Sequence, residues 1–221
     1  TPAPGKYVTS ACIGGNANFT ATVPNVGNNI AHQWKVSTDA GATFSNVTNG
    51  GVYSGATTST LTITGATSAM NGYRYKDSLF VTPCASFVNS NVATLTVNPK
   101  PTVVLTANPF TALYPGQTTT LSAAVSPNPG ATYTWLRNGV IVPGATANTL
   151  VVDVDALGLY TVNVTDVNGC SGSSASIEIK DAANDILFVY PSPNSGQFQV
   201  RYYSQPGNNP LPRVVNIYDS K

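Results

Sequence analysis

The 221-residue chain carries 10 Lys and Arg, 9 Asp and Glu, a net charge of +1, and only 9% charged residues, against roughly 25% in an average protein. Cations are scattered singly, which excludes the clustered phosphate neutralisation that nucleic-acid binding needs. No run approaches the ~18–20 apolar residues of a membrane-spanning helix, the polar, Pro-containing start at Thr1 is expected to be cut from something longer and not to be a leader, and three cysteines permit at most one intrachain bridge.

A surface built from Thr, Ser, Asn and Gly disfavours helix and suits strands and tight turns. No sustained apolar 3.6-residue period occurs, whereas short alternating runs recur between Gly, Pro and Asn, as in sandwiches or barrels. In chain order, residues 18–23 (NFTATV) and 31–36 (AHQWKV, around Trp34) predict strands, with a hairpin turn at 37–41 (STDAG). Residues 58–63 place Leu61 and Ile63 on one face, 73–80 form a Tyr-rich strand, 83–86 turn, and 91–97 close the first block.

Asn98-Pro99-Lys100-Pro101 is a short stiff joint, because Pro fixes φ and restricts the residue before it. The plan then repeats, with strands at 102–106, 118–125, 131–137 (around Trp135), 148–154, 159–165 and 175–179. Pro127–Gly130, Asn138-Gly139 and Asn168-Gly169 are turn signals. Beyond Lys180 come a polar connector at 181–185, runs at 186–190 and 197–203, and a Pro-Ser-Pro-Asn-Ser-Gly turn between them. The predicted domains are 1–98, a linker at 99–101, 102–180 and 181–221.

Trp34 with Tyr73-Arg74-Tyr75, and Trp135 with Gly158-Leu159-Tyr160, resemble the immunoglobulin pattern of a core Trp and a tyrosine corner. Residues 34–44 (WKVSTDAGATF), 51–64 and 70–75 resemble the Ig-like repeats of large secreted Bacteroidetes proteins. The expected fold class is all-β: two tandem immunoglobulin-like β-sandwiches followed by a partial β-sandwich sorting domain. Trp34, Tyr75, Trp135 and Tyr160 are the expected core anchors.

The tail resembles the C-terminal sorting domain of the type IX secretion system. The motif residues are Tyr190, Pro191, Pro193, Asn194, Gly196 and Phe198, then Ile217, Tyr218 and Asp219, with Ser192 where the family usually has Asn. This resemblance implies export to the cell surface, with the secretion machinery and outer-membrane shuttle and attachment components as partners. The chain is expected to be part of something longer, with the sorting domain incomplete.

The resemblance also implies a Cys12–Cys84 disulfide, an analogous pair recurring in similar repeats, and Cys170 is expected to be free. Two residues after Tyr75 stands Asp77, where those repeats often carry Cys. An acid there is costly if buried unpaired, so it is expected near an edge or bonded to Arg74, Lys76 or backbone donors. Asp77-Ser78-Leu79 also resembles a short Bacteroidetes O-glycosylation signal.

No catalytic constellation stands out, and no enzyme activity or cofactor is expected. The single His, His32, shares the face of Trp34 or lies near the sheet end, with no placeable partner. Asp153, Asp155 and Asp166 are a weak Ca²⁺ candidate set, weighed against a solvated strand edge. Tyr53, Tyr73, Tyr75, Tyr202 and Tyr203 raise carbohydrate stacking, with Tyr73 and Tyr75 favoured as core. The functional expectation is a secreted, cell-surface structural or adhesive module. The alternatives are a carbohydrate-binding accessory region of a larger secreted hydrolase, or a subunit of an extracellular fibre with strand-accepting edges.

Overall fold

The computed structural model describes residues 7–22, 30–81, 86–114, 116–127, 130–182, 187–190 and 199–202. The chain divides into two compact units. One comprises Thr1–Thr102 with Pro127–Ala131 and Thr165–Gly172; the other comprises Val103–Ser126, Thr132–Val164 and Ser173–Lys221.

The first sandwich is made of β1 (Tyr7–Cys12), β2 (Ala17–Thr20), β3 (Ile30–Ser37), β4 (Ser45–Asn46), β5 (Tyr53–Ser54), β6 (Thr60–Ile63), β7 (Arg74–Val81), β8 (Ser86–Asn89) and β9 (Ala93–Asn98). One sheet has the order β1-β9-β7-β3-β4, with β8 on β7, and the other β2-β6-β5. β1 runs parallel to β9, Tyr7 opposite Ala93 and Cys12 opposite Asn98. Period-2 alternation puts Phe19, Trp34, Leu61, Ile63, Tyr75, Leu95 and Val97 inside, as two facing sheets require.

The second sandwich comprises β10 (Thr102–Asn108), β11 (Ala112–Leu113), β12 (Thr118–Ser126), β13 (Thr132–Arg137), β14 (Val140–Ile141), β15 (Thr149–Asp153), β16 (Gly158–Thr165), β17 (Ser171–Ser173) and β18 (Ile177–Asp181). Its sheets are β11-β18-β16-β13-β14, with β17 on β16, and β10-β12-β15. Again a short strand, β11, lies parallel to the closing strand β18. Asn138 and Gly139, at φ of 52° and 78°, join Arg137 to Val140; positive φ at both central positions is what a two-residue hairpin of matching twist demands. Leu121, Trp135, Val152, Tyr160, Val162, Val164 and Ile179 are buried. A further hairpin pairs β19 (Leu187–Tyr190) with β20 (Gln199–Tyr202).

The architecture is all-β, with immunoglobulin-like sandwiches. The indoles make the repeat explicit. Trp34 Nε1–H donates to the carbonyl of Thr58, and Trp135 Nε1–H to that of Ala147, each at 2.8 Å. Each acceptor stands two residues before the strand that follows it, β6 or β15. Both Trp are buried, at 3% and 0% exposure.

Two expectations need correction. β1 runs from Tyr7, so Cys12 ends a strand instead of preceding the first one. More importantly, Cys12 is bonded to Cys170, not Cys84. The strand register explains why. β7 is antiparallel to β9, Arg74 opposite Thr94, so Cys12, opposite Asn98, lies off the Arg74 end of β7. Cys84, itself outside the described residues, follows Val81 at the other end. The eight residues of β7 span about 25 Å at ~3.3 Å each. Three residues beyond Val81 return about 11 Å at most, and a disulfide needs Cα atoms within ~7 Å.

Candidate functional site

β3 and β7 are neighbours, and their register pairs His32 with Leu79, Trp34 with Asp77, and Val36 with Tyr75. Residues directly opposite in an antiparallel pair share a face, so His32 and Asp77 both point between the sheets. His32 Nδ1 hydrogen-bonds Asp77 Oδ2 at 2.6 Å. The Gln33 N–H donates to Asp77 Oδ1 at 3.1 Å. Asp77 is fully buried while the His32 side chain is 14% exposed. Asp77 is therefore not at an edge, and its side chain is held by His32 and a backbone donor, not by Arg74 or Lys76. Those two residues alternate onto the opposite face, where Lys76 Nζ sits 4.3 Å above the Phe44 ring.

The backbone of Asp77 is fixed by Ser90: the Asp77 N–H donates to Ser90 Oγ, and the Ser90 N–H to the Asp77 carbonyl, both at 2.8 Å. In the second sandwich Val162 and Ser174 make the same two bonds at 3.0 Å. Asp77 thus stands where the repeat otherwise has Val162. The His32–Asp77 pair escaped sequence reasoning, although both residues shared a period-2 face with an expected anchor. The missing step was to place β3 beside β7.

Tyr53, Tyr73, Tyr75 and Tyr160 pack in or against the two cores. Tyr53 packs on the first core, and its hydroxyl bonds that of Tyr75 at 3.1 Å. Phe19 lies 4.7 Å from Tyr75 between ring centroids. Burial, with the Tyr53 hydroxyl second, holds the Tyr75 phenol well above its ordinary pKa. Tyr160 O–H donates to the Ala156 carbonyl, the backward bond of a tyrosine corner. Burial also raises its pKa. Tyr202 lies in β20, with its side chain outside the described residues, as is all of Tyr203.

The three Asp residues are not brought together. Asp153 accepts from the Asp155 N–H at 2.9 Å, capping a 3₁₀ turn at Val154–Ala156. Asp166 is 6% exposed and accepts from the N–H groups of Asn168 and Cys170 at 2.9 and 2.8 Å. Among the described residues no group of three His, Cys, Asp or Glu is placed to hold a metal. Asp166 instead shapes the turn that presents Cys170, which is fully buried. Ser78, of the Asp77-Ser78-Leu79 signal, is 7% exposed within β7. In the sorting motif, Tyr190 ends β19. Its side chain, together with Pro191, Pro193, Asn194, Gly196, Phe198, Ile217, Tyr218 and Asp219, lies outside the described residues.

Each sandwich carries a depression. In the first, a cavity of about 370 Å³ has Phe19, Trp34 and Leu79 among its lining, with Asn18, Thr20 and Asn91 also contributing. In the second, about 420 Å³ is lined by Arg137, Val140, Ile141, Val151 and Tyr160, among others. His32 lines neither, and among the described residues its side-chain bond is to Asp77.

No protein-family model matches the chain, and no curated protein matches it. Solved structures do. The N-terminal four Ig domains of Dscam1 isoform 1.9 are 15% identical, over 82% of this chain and 45% of that one, with a TM-score of 0.39. The mouse coronavirus receptor-binding domain complexed with its murine receptor is 14% identical, over 78% of this chain and 95% of that one, at 0.44. The chain spans less than half the length of the Dscam1 four-domain structures. No helix among the described residues is long and apolar enough to cross a membrane.

Proposed function

We propose that this chain is an extracellular structural and adhesive module without a catalytic centre of its own. It is exported by a Bacteroidetes type IX secretion system through residues 181–221 and attached at the cell surface. The observation that carries the extracellular part is the Cys12–Cys170 disulfide in immunoglobulin-like sandwiches, since such bonds persist in oxidising compartments. The export route is supported by the Tyr190–Asp219 motif residues. The test is expression in a type IX-competent bacterium and in one lacking the apparatus. Surface exposure to added protease only in the first, lost on deleting 181–221, is the expected result; exposure in both strains overturns the route.

A second reading, a carbohydrate-binding accessory region, is favoured by the first cavity, whose lining sets the amide and hydroxyl side chains of Asn18, Thr20, Asn89 and Asn91 beside apolar ones such as Val88 and Ala93. Such a combination suits sugar rings, which present an apolar face and a rim of hydroxyls. Binding on a glycan array that falls at least tenfold in Asn18→Ala and Asn91→Ala supports this reading. Binding that both substitutions leave unchanged counts against it.

A further inference from the structure

The disulfide joins the end of the first strand to the turn that follows β16, 158 residues further on and in the same compact unit. A bond so placed determines which part of the chain carries a load. We propose that Cys12–Cys170 is a covalent load bypass: tension entering before Cys12 and leaving after Cys170 crosses the sulfur bridge, and everything between the two cysteines lies off the tension path. This inference goes beyond the adhesive reading and holds whatever the module binds.

β2 to β16, including both Trp cores, lie inside the covalent loop. Without the bridge, a pull on the N-terminal end would peel β1 from its six-residue parallel pairing with β9 and then feed tension into β2 and β3. With it, peeling stops at Cys12. On the other side, a pull on the C-terminal end strips β18 and then β17, and stops at Cys170. Loss of either strand can still unfold a sandwich, but the unfolded loop cannot lengthen the molecule, because its two ends are covalently joined.

Both anchor points are built to hold. The Ile13 N–H donates to the Asn98 carbonyl at 2.9 Å, and the Gly15 N–H to the Cys12 carbonyl at 2.7 Å. The Cys170 turn closes on itself: the buried Asp166 carboxylate accepts from Asn168 and Cys170, while the Asp166 N–H donates to the Cys170 carbonyl at 2.9 Å. In the next strand a Cβ on Gly172 would lie 2.0 Å from the Pro101 carbonyl oxygen. That backbone approach admits only Gly, and it backs the turn against the Asn98–Pro101 joint.

The test is single-molecule pulling of the full chain between reference domains of known length, comparing wild type with Cys12→Ser and Cys170→Ser. The fully extended wild type is expected to be shorter than either variant by about 55 nm, the length of 158 extended residues at ~3.3–3.6 Å each. Extended length does not depend on folding, so the comparison stands even where a variant fails to fold. Equal extension in all three overturns the proposal. So does a deficit of about 25–30 nm, which at the same rise per residue marks a bridge from Cys84 to Cys12 or to Cys170.

Discussion

The two sandwiches share the strand order of the larger sheet, a strand lying parallel to the closing one, the indole-to-carbonyl bond and the Ser90/Ser174 clasp, yet they fill the space beside the Trp differently. The first encloses a buried His–Asp pair and an aromatic group of Phe19, Trp34, Tyr53 and Tyr75. The second places Val162 there and anchors Tyr160 to backbone. The comparison teaches that topology and the Trp are the constant part of this design. The place held by Asp77 on β7 and by Val162 on β16 is the variable part, filled in one case by an acid bonded to His32 on the neighbouring strand and in the other by a valine.

The Trp residues test the constant part. Trp34→Ala and Trp135→Ala should each cost about 3–5 kcal/mol, read by denaturant titration; a cost under about 1 kcal/mol in either would break the equivalence. Asp77→Ala, which strands His32 and the Gln33 N–H, should cost about 3–5 kcal/mol. Val162→Ala at the equivalent place should cost about 2 kcal/mol. The double change His32→Leu with Asp77→Val should recover most of the loss, since apolar replacement of a buried pair is often neutral or better. Failure of the double variant to exceed Asp77→Ala would show the pair to be irreplaceable.

The tyrosines separate the units further. Tyr160→Phe leaves the Ala156 carbonyl without its donor and should cost about 1–3 kcal/mol; Tyr75→Phe loses one hydroxyl contact and should cost about 0.5–1.5. Both phenols are raised above their ordinary value, chiefly by burial, so the fold favours the neutral form. That stabilisation is complete below about pH 10 and is lost as pH rises through the folded-state values. Melting temperature should therefore fall between pH 10 and 12, less steeply in Tyr75→Phe, and a flat profile would contradict the burial. The smallest effect is expected at Thr119, whose buried hydroxyl has no partner among the described residues and whose counterpart in the first sandwich is Ala17. Thr119→Val should stabilise by about 1 kcal/mol, measured as a rise in melting temperature.

The sequence made the repeated plan readable because strands buried on one face alternate strictly. Leu61 with Ile63, and Leu121 with Ala123, each announce a face, and Trp34 and Trp135 mark equivalent strands. β1, β4, β5, β11 and β14 were not legible, being short or at sheet edges where one-sided pairing leaves little pattern; of β1, Ala11 is buried while Val8 is half exposed. Cys12–Cys170 was hidden for a different reason. Its partners belong to different repeats, and reasoning within one repeat offers Cys84 first. His32 and Asp77 were each visible as anomalies, but their hydrogen bond is a property of two adjacent strands, and adjacency is not written along either.

The parallel seating of β1 also bears on biogenesis. A chain emerging N-terminus first delivers Tyr7 long before Ala93, so its opening strand has no berth while the rest of that sheet is being made. Cys12 waits longer still, and Cys84 is synthesised well ahead of Cys170. The bridge found in the finished protein is thus one that the order of synthesis works against, and reaching it requires either oxidation withheld until the whole chain is out or an exchange of early partners for the final one.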